Sequence, residues 1–257
     1  MSTLATKDLT IRFGGHVAVN AVTCSFEPGT LTAIVGPNGA GKTTYFNLIS
    51  GQLKATSGSV TLGGQDLTGQ SVSARTHAGL GRAFQLTNLF PNLSVLENVR
   101  LAVQATQEGK HRRGLNLWSI WSDHRALTER AESILQTVAM YERRDTPVAS
   151  LPHGDQRKLE VALLMALEPQ VYMFDEPTAG MNAAEAPVIL DLIRQLKADR
   201  SKTILLVEHK MDVVRELADR IIVLTNGTLV ADGPPAEVIA SPVVQEAYLG
   251  MAAEEPA

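Results

Sequence analysis

The chain alternates between two hydrophobic periods along its 257 residues. Short apolar, β-branched runs at 9–13, 22–26, 31–35, 59–62, 171–174, 203–207 and 221–225 predict strands. Between several of them lie stretches with helical spacing, at 42–50, 95–103, 123–140, 155–167, 183–199 and 211–218. Strands and helices in alternation predict an α/β fold with a largely parallel sheet. The first strands lie closer together and are joined by the turn signals Glu27-Pro28-Gly29 and Gly63-Gly64, which predicts an antiparallel β part beside that core. Thr225-Asn226-Gly227-Thr228 is a two-residue hairpin signal.

The middle breaks the alternation. From about 88 to 167 the pattern is mostly helical with no clear strand, and predicts an inserted helical subdomain. The core with its β subdomain then takes 1–87 and 168–250, making one domain followed by a short tail at 251–257. An extra loop and short helix fall near 105–125, where a basic cluster precedes Trp118 and Trp121. It reads as a solvated loop whose tryptophans pack locally, with a contact to membrane headgroups or a membrane partner as the alternative.

Composition narrows the classes. Hydrophobic content of 44% with 19% charged residues is that of an ordinary globular protein. A net charge of −4 supplies no electrostatic attraction for nucleic acid. A single cysteine, Cys24, rules out an internal disulfide and fits a reducing compartment. The first residues lack the apolar core of a secretion signal. No apolar stretch approaches the roughly 20 residues that span a bilayer; 161–167 is too short. Work at a membrane would therefore be that of a peripheral subunit held by a partner.

Two segments carry the chemistry. Gly36-Pro37-Asn38-Gly39-Ala40-Gly41-Lys42-Thr43 has the GxxxxGK[ST] spacing of a P-loop, with the apolar run 31–35 before it and a helical run from Thr44 after it. A strand–glycine loop–helix unit turns backbone N–H groups toward one point at a helix N-terminus, where an anion is favoured. Lys42 would neutralise the β- and γ-phosphates, and the Thr43 hydroxyl would help hold Mg²⁺. The chain is thus expected to bind a nucleoside triphosphate. At 171–176, four mostly apolar residues deliver Asp175 and Glu176 to the C-terminal end of a strand, where open α/β sheets place their ligands. Asp175 would hold Mg²⁺ through its water shell, and Glu176 would orient and deprotonate an attacking water.

Weaker signals follow the same order along the chain. Gln85 ends the run 79–84 and offers an amide to Mg²⁺ or the attacking water. Leu151-Pro152-His153-Gly154-Asp155-Gln156 opens a long helix. His209 follows the strand 203–207, from which its imidazole could hydrogen-bond a γ-phosphate. Together these segments resemble the nucleotide-binding subunit of ABC transporters over essentially the whole chain. The resemblance implies ATP and Mg²⁺ as ligands and ATP hydrolysis coupled to transport. It makes 36–44 the Walker A segment, Gln85 the Q-loop, 151–156 the signature that meets the partner's ATP, and 171–176 the Walker B strand and base. It also makes 179–182 the D-loop and His209 the switch histidine. Phe13 stands where the family has an aromatic that stacks on adenine, a contact to the base that Val19 would aid.

Within that family, Phe13-Gly14-Gly15, 17–20, 81–86, Gly180-Met181-Asn182, 208–212 and 245–250 resemble the ATP-binding subunit of bacterial branched-chain amino acid importers. That branch implies a second ATP-binding subunit, most simply a different one with a homodimer as the alternative. It also implies two membrane permeases and a periplasmic solute-binding protein, at the cytoplasmic face of the inner membrane. Relatives that import urea, amides or small carboxylates, or export lipopolysaccharide, are alternative readings; so is a soluble ABC ATPase outside transport. The departures are mechanical. Where the family signature has Leu-Ser-Gly-Gly-Gln, Pro152 offers neither hydroxyl nor N–H, His153 replaces a glycine and Asp155 a glutamine. Asn182 stands where the D-loop usually has aspartate. The site that this chain completes for its partner is expected to be the weaker one.

Overall fold

The computed structural model describes residues 2–83, 89–110, 124–181, 185–242 and 244–246. They fall into two compact units, one of residues 1–82, 170–176 and 196–257 and one of residues 83–169 and 177–195.

The first unit carries two sheets. β1 (Leu4–Phe13), β2 (His16–Phe26), β4 (Ser57–Leu62) and β5 (Gln65–Asp66) form an antiparallel sheet in the order β2-β1-β4-β5. The other sheet runs β10-β9-β3-β8-β7-β6, from β3 (Leu31–Val35), β6 (Leu80–Ala83), β7 (Val171–Asp175), β8 (Thr203–Val207), β9 (Arg220–Thr225) and β10 (Thr228–Gly233). β3 is parallel to β8 and β9, and β7 is parallel to β8. β3, β7 and β8 are buried at every position because both faces of the sheet are covered. Ile34 joins Phe26, Tyr45, Phe46, Leu205 and Leu224 on one face, whereas Ala33 and Val35 join Val214, Ile221 and Val238 on the other. That two-sided burial explains continuous apolar runs where a half-exposed strand would alternate.

Asn226 and Gly227, both at positive φ (49° and 75°), make the tight turn that the Asn-Gly pair predicts between β9 and β10. α1 (Lys42–Ser50), α2 (Val72–His77), α7 (Met211–Leu217) and α8 (Pro235–Ala240) complete the unit. α2 and α8 span six residues each, too short to show a helical period in the sequence.

The second unit is helical. α3 (Val95–Lys110), α4 (His124–Thr137) and α5 (His153–Ala166) pack together, with most of α6 (Ala186–Ala198) in the same unit. Val95, Val99 and Val103 on α3, and Leu127, Ala131, Ile134 and Leu135 on α4, are buried stripes of helical spacing. α3 opens with a capping box. Ser94 Oγ accepts from the Glu97 N–H at 3.2 Å, and the Glu97 carboxylate accepts from the Ser94 N–H at 3.0 Å. The buried Asn98 side chain accepts from the Phe90 N–H and donates to the carbonyls of Phe90 and Ser94, fixing the approach to α3. Trp118, Trp121 and residues 111–123 lie outside the described residues, as do 247–257.

Candidate nucleotide site

The parallel register assembles the site. Val207 on β8 is level with both Ile34 on β3 and Asp175 on β7. The residues that follow each strand therefore emerge side by side: Gly36, Glu176, and Glu208 with His209. β8 lies between the other two strands. Three stretches distant in sequence meet because of strand order, at the edge where open parallel sheets bind ligands.

Residues 36–41 turn tightly. A β-carbon at Gly36 (φ 148°) would land on the Leu224 carbonyl, and one at Gly41 (φ 93°) would lie 2.5 Å from the Ala18 carbonyl. Glycine at these two positions is a steric requirement. The tip of the β9–β10 turn braces the loop, the Gly227 N–H donating to the Ala40 carbonyl at 3.0 Å. Asn38, Gly39 and Thr43 are exposed, Pro37 and Thr44 partly so, and Ala40 is buried. No side chain caps α1 at Gly41, so the N-cap residue takes up none of the N–H groups of the first turn.

Lys42 and Asp175 are buried, whereas Glu176 and His209 are partly exposed. Lys42 Nζ donates to the carbonyls of Gly36 and Pro37 at 2.7 and 2.8 Å, folded back against its own loop. Burial lowers its pKa, and the negative charges of Glu176 and Asp175 oppose that shift. Burial raises the pKa of Asp175, with the Arg82 guanidinium opposing it from 2.8 Å. Glu176 has φ 48°, a left-handed backbone held by its N–H bond to the Val207 carbonyl at 2.9 Å. His209 is half exposed, its Nδ1 3.7 Å from Glu176 Oε1, beyond a direct hydrogen bond.

Phe13 ends β1 with 51% of its surface exposed, opposite His16 across the Gly14-Gly15 turn. Val19 has no exposed surface, so the expectation that it contacts a base is corrected: it packs inside the core and supports the hairpin. Gln85 and Asn182 lie outside the described residues.

In the second unit, Leu151 is buried and Pro152 occupies the N-cap of α5 with no side-chain cap. A β-carbon at Gly154 would land on the Glu185 carboxylate. Asp155 pairs with Arg143 at 2.9 Å and Lys158 at 3.0 Å. Gln156 donates back to the Leu151 carbonyl at 3.0 Å, and a β-carbon added at Gly180 would lie 3.8 Å from the His153 ring.

Two residues that the sequence reading passed over belong to the site. Arg82 is the buried partner of Asp175; its signal was a charge inside a short apolar strand. Glu208, fully buried, accepts the N–H groups of His209 and Lys210 at 2.8 and 3.0 Å and so fixes the turn that carries His209.

A glycine loop opening a helix, with a carboxylate pair and a histidine on neighbouring strand ends, defines a P-loop nucleoside triphosphatase. The comparisons narrow the class. A family model for ABC transporters matches residues 19–179, and one for the branched-chain amino acid ATP-binding cassette transporter matches residues 228–251. The chain is 38% identical over 254 residues to the high-affinity branched-chain amino acid transport ATP-binding protein LivG of Escherichia coli (strain K12), covering 97% of this chain and 98% of that one. The crystal structure of the ADP conformation of MJ1267, an ATP-binding cassette of an ABC transporter, superposes with a TM-score of 0.80 at 29% identity, covering 97% of this chain and 99% of the other. A dimeric post-hydrolysis state of the ATP-binding cassette MJ0796, bound to ADP and Pi, gives 0.75 at 25% identity, covering 90% and 98%. The chain belongs to the ABC transporter family, as an ATP-hydrolysing subunit. Among the described residues no helix is long and apolar enough to cross a membrane.

Proposed function

We propose that this subunit energises the import of branched-chain amino acids. It would work at the cytoplasmic face of the bacterial inner membrane, with a second ATP-binding subunit, two permeases and a periplasmic solute-binding protein. The observation that carries the reading is full-length similarity to LivG together with the match of residues 228–251 to the branched-chain amino acid cassette. The dimeric state of MJ0796 supports pairing with a second ATP-binding subunit.

The residue roles follow from position and chemistry. The N–H groups of 36–43 and the Lys42 ammonium hold the β- and γ-phosphates, Lys42 exchanging its two loop carbonyls for phosphate oxygens. Phe13 offers an exposed aromatic face to the adenine. Glu176 orients and deprotonates the attacking water, and His209 stabilises charge on the γ-phosphate from its half-exposed position. The donor set fits Mg²⁺. Thr43 and Asp175 are hard oxygen ligands, and among the described residues no three acidic, His or Cys side chains form a cage. That suits an ion that keeps its waters and leans on substrate phosphates. Bound there with ATP, Mg²⁺ would neutralise phosphate charge; Thr43, Asp175 and Gln85 would hold it.

The reading is tested by reconstituting the chain with its permeases and binding protein in vesicles. Leucine-loaded binding protein should stimulate ATP turnover and drive leucine uptake. Stimulation by urea or a small carboxylate in place of leucine would overturn the cargo assignment. Glu176→Gln and the matching change in the second ATP-binding subunit, made separately, test the expected asymmetry. This chain's own site should carry most of the turnover, so equal losses would contradict it.

A further inference from the structure

We propose that Arg82 is a positioning residue for ATP hydrolysis, setting how Asp175 meets the metal-bound nucleotide. The inference rests on Asp175 being the carboxylate that faces the metal. Arg82 sits on β6, the strand at the edge of the six-stranded sheet next to β7, which carries Asp175. Its side chain and that of Asp175 are each only 7% exposed. The guanidinium is held on several sides. Nη2 donates to Asp175 Oδ2 at 2.8 Å. Nη1 reaches Asn47 Oδ1 at 2.6 Å, Ser50 Oγ at 2.8 Å and Gln52 Oε1 at 2.8 Å, and the planar group lies 4.9 Å from the centre of the Phe46 ring.

Of these five contacts, four are to α1 and the turn after it and one is to Asp175. α1 is the helix that opens with Lys42 and Thr43, the residues proposed above to meet the phosphates. One rigid, forked cation therefore ties the far end of the phosphate-binding helix to the acidic end of β7. It fixes the Asp175 carboxylate by one oxygen. Among the described residues the other oxygen, Oδ1, accepts no hydrogen bond. A carboxylate gripped this way has one oxygen committed and one presented. Lysine cannot reproduce the arrangement, because a point charge lacks the fork that reaches Asp175 and α1 together.

Outer-sphere partners that orient metal-facing groups are worth about 10- to 100-fold in metal affinity or activity. The experiment is nucleotide binding by the full chain, measured with a fluorescent ADP analogue in EDTA and across a Mg²⁺ titration. Arg82→Met should leave affinity in EDTA within about twofold of wild type and raise the half-saturating Mg²⁺ concentration about tenfold or more. Arg82→Lys should fall between them. Wild-type Mg²⁺ dependence in a folded Arg82→Met chain, or an equal loss with and without Mg²⁺, would overturn the proposal. If Arg82→Met does not fold, Arg82→Lys and Gln52→Ala replace it; each should shift the Mg²⁺ midpoint in the same direction, and an unmoved midpoint in both refutes the idea. Asp175→Asn separates the two layers of inference. No Mg²⁺ shift in that variant defeats the metal assignment of Asp175, whereas a shift there without one at Arg82 defeats only the role of Arg82.

Discussion

α1 and α5 both have glycine at their N-terminal ends, in the loop before α1 and in the first turn of α5, yet the two entrances are furnished with opposite charge. Before α1 the loop gives Gly36, Gly39 and Gly41, no side-chain cap, and a lysine folded onto its own carbonyls. An incoming phosphate meets open N–H groups and a cation that needs only to rotate. At α5 the N-cap is Pro152, without an N–H, and the flanking acids are Asp155 in the first turn and Glu185 against Gly154. Arg143 and Lys158 offset part of that charge, but two carboxylates already stand at the positive end of the helix dipole. A phosphate there would meet its own sign. The difference teaches that a helix N-terminus is an anion site only when the protein has not already filled it.

The largest expected effect tests the α1 side. Glu176→Gln should lower ATP turnover of the assembled transporter about 10²- to 10⁴-fold, the range for loss of a general base, while ATP still binds. Lys42→Ala should abolish nucleotide retention instead. Stopped turnover with bound ATP in the first variant, against an empty site in the second, separates chemistry from binding. Residual turnover within a few-fold of wild type in Glu176→Gln would mean that the base lies elsewhere.

The contrast in charge extends through each unit. The first unit buries ionisable groups. Burial drives the Cys24 thiol up to about 11 from 9.0, against the opposing Arg220 charge, and drives the Tyr45 hydroxyl up as well. The second unit keeps most of its described ion pairs at the surface, such as Arg125–Glu129 and Arg130–Glu168. A folded pKa above the unfolded one favours the protonated native state. The Cys24 contribution is therefore complete below about pH 9 and is lost as pH rises through about 11. Its size is about 2–3 kcal/mol at most, from two pKa units. Thermal midpoints measured from pH 8 to 11 should fall, and Cys24→Ala should flatten the decline. An identical decline in that variant would remove Cys24 as the cause.

A smaller effect tests the α5 side. Pro152→Ser with His153→Gly restores a hydroxyl, an N–H and close approach. Each regained contact to a charged phosphate is worth about 1.5 kcal/mol or more, roughly tenfold. The readout is turnover of the assembled complex in which this chain carries Glu176→Gln, so that only the partner's site reports. A rise of several-fold supports the comparison; no rise would place the obstacle at Asp155 or Glu185.

What the sequence made legible follows the same physics. The glycine loop, the strand ending in Asp175-Glu176 and the Asn226-Gly227 turn are local, because their chemistry sits within a few residues. The covered sheet was legible as unbroken apolar runs. Arg82 with Asp175, 93 residues apart, and Glu185 against Gly154 were not, since only strand order and helix packing bring them together. The buried state of Val19 was equally hidden: its position beside Phe13 suggested a ligand contact, but the break in the alternation of β2 at Asn20 and Ala21, where the pairing with β1 shifts register, turns it inward. The short helices α2 and α8 carry too few turns for a period to emerge.

The smallest expected effect guards the contrast against a trivial explanation. If ion pairs mattered equally everywhere, the exposed pair Arg130–Glu168, bonded at 2.8 Å, would rival the buried one at Arg82. Both its side chains are about half exposed, so water screens the attraction and each flexible chain loses entropy on being held. Arg130→Ala should therefore shift unfolding by no more than about 0.2–1 kcal/mol in a denaturant titration, with Mg²⁺-dependent nucleotide binding unchanged. Arg82 is the opposite case, since removing it strands a buried carboxylate, which typically costs about 3–5 kcal/mol. Comparable losses from the two substitutions would show that geometry, and not desolvation, separates the two pairs.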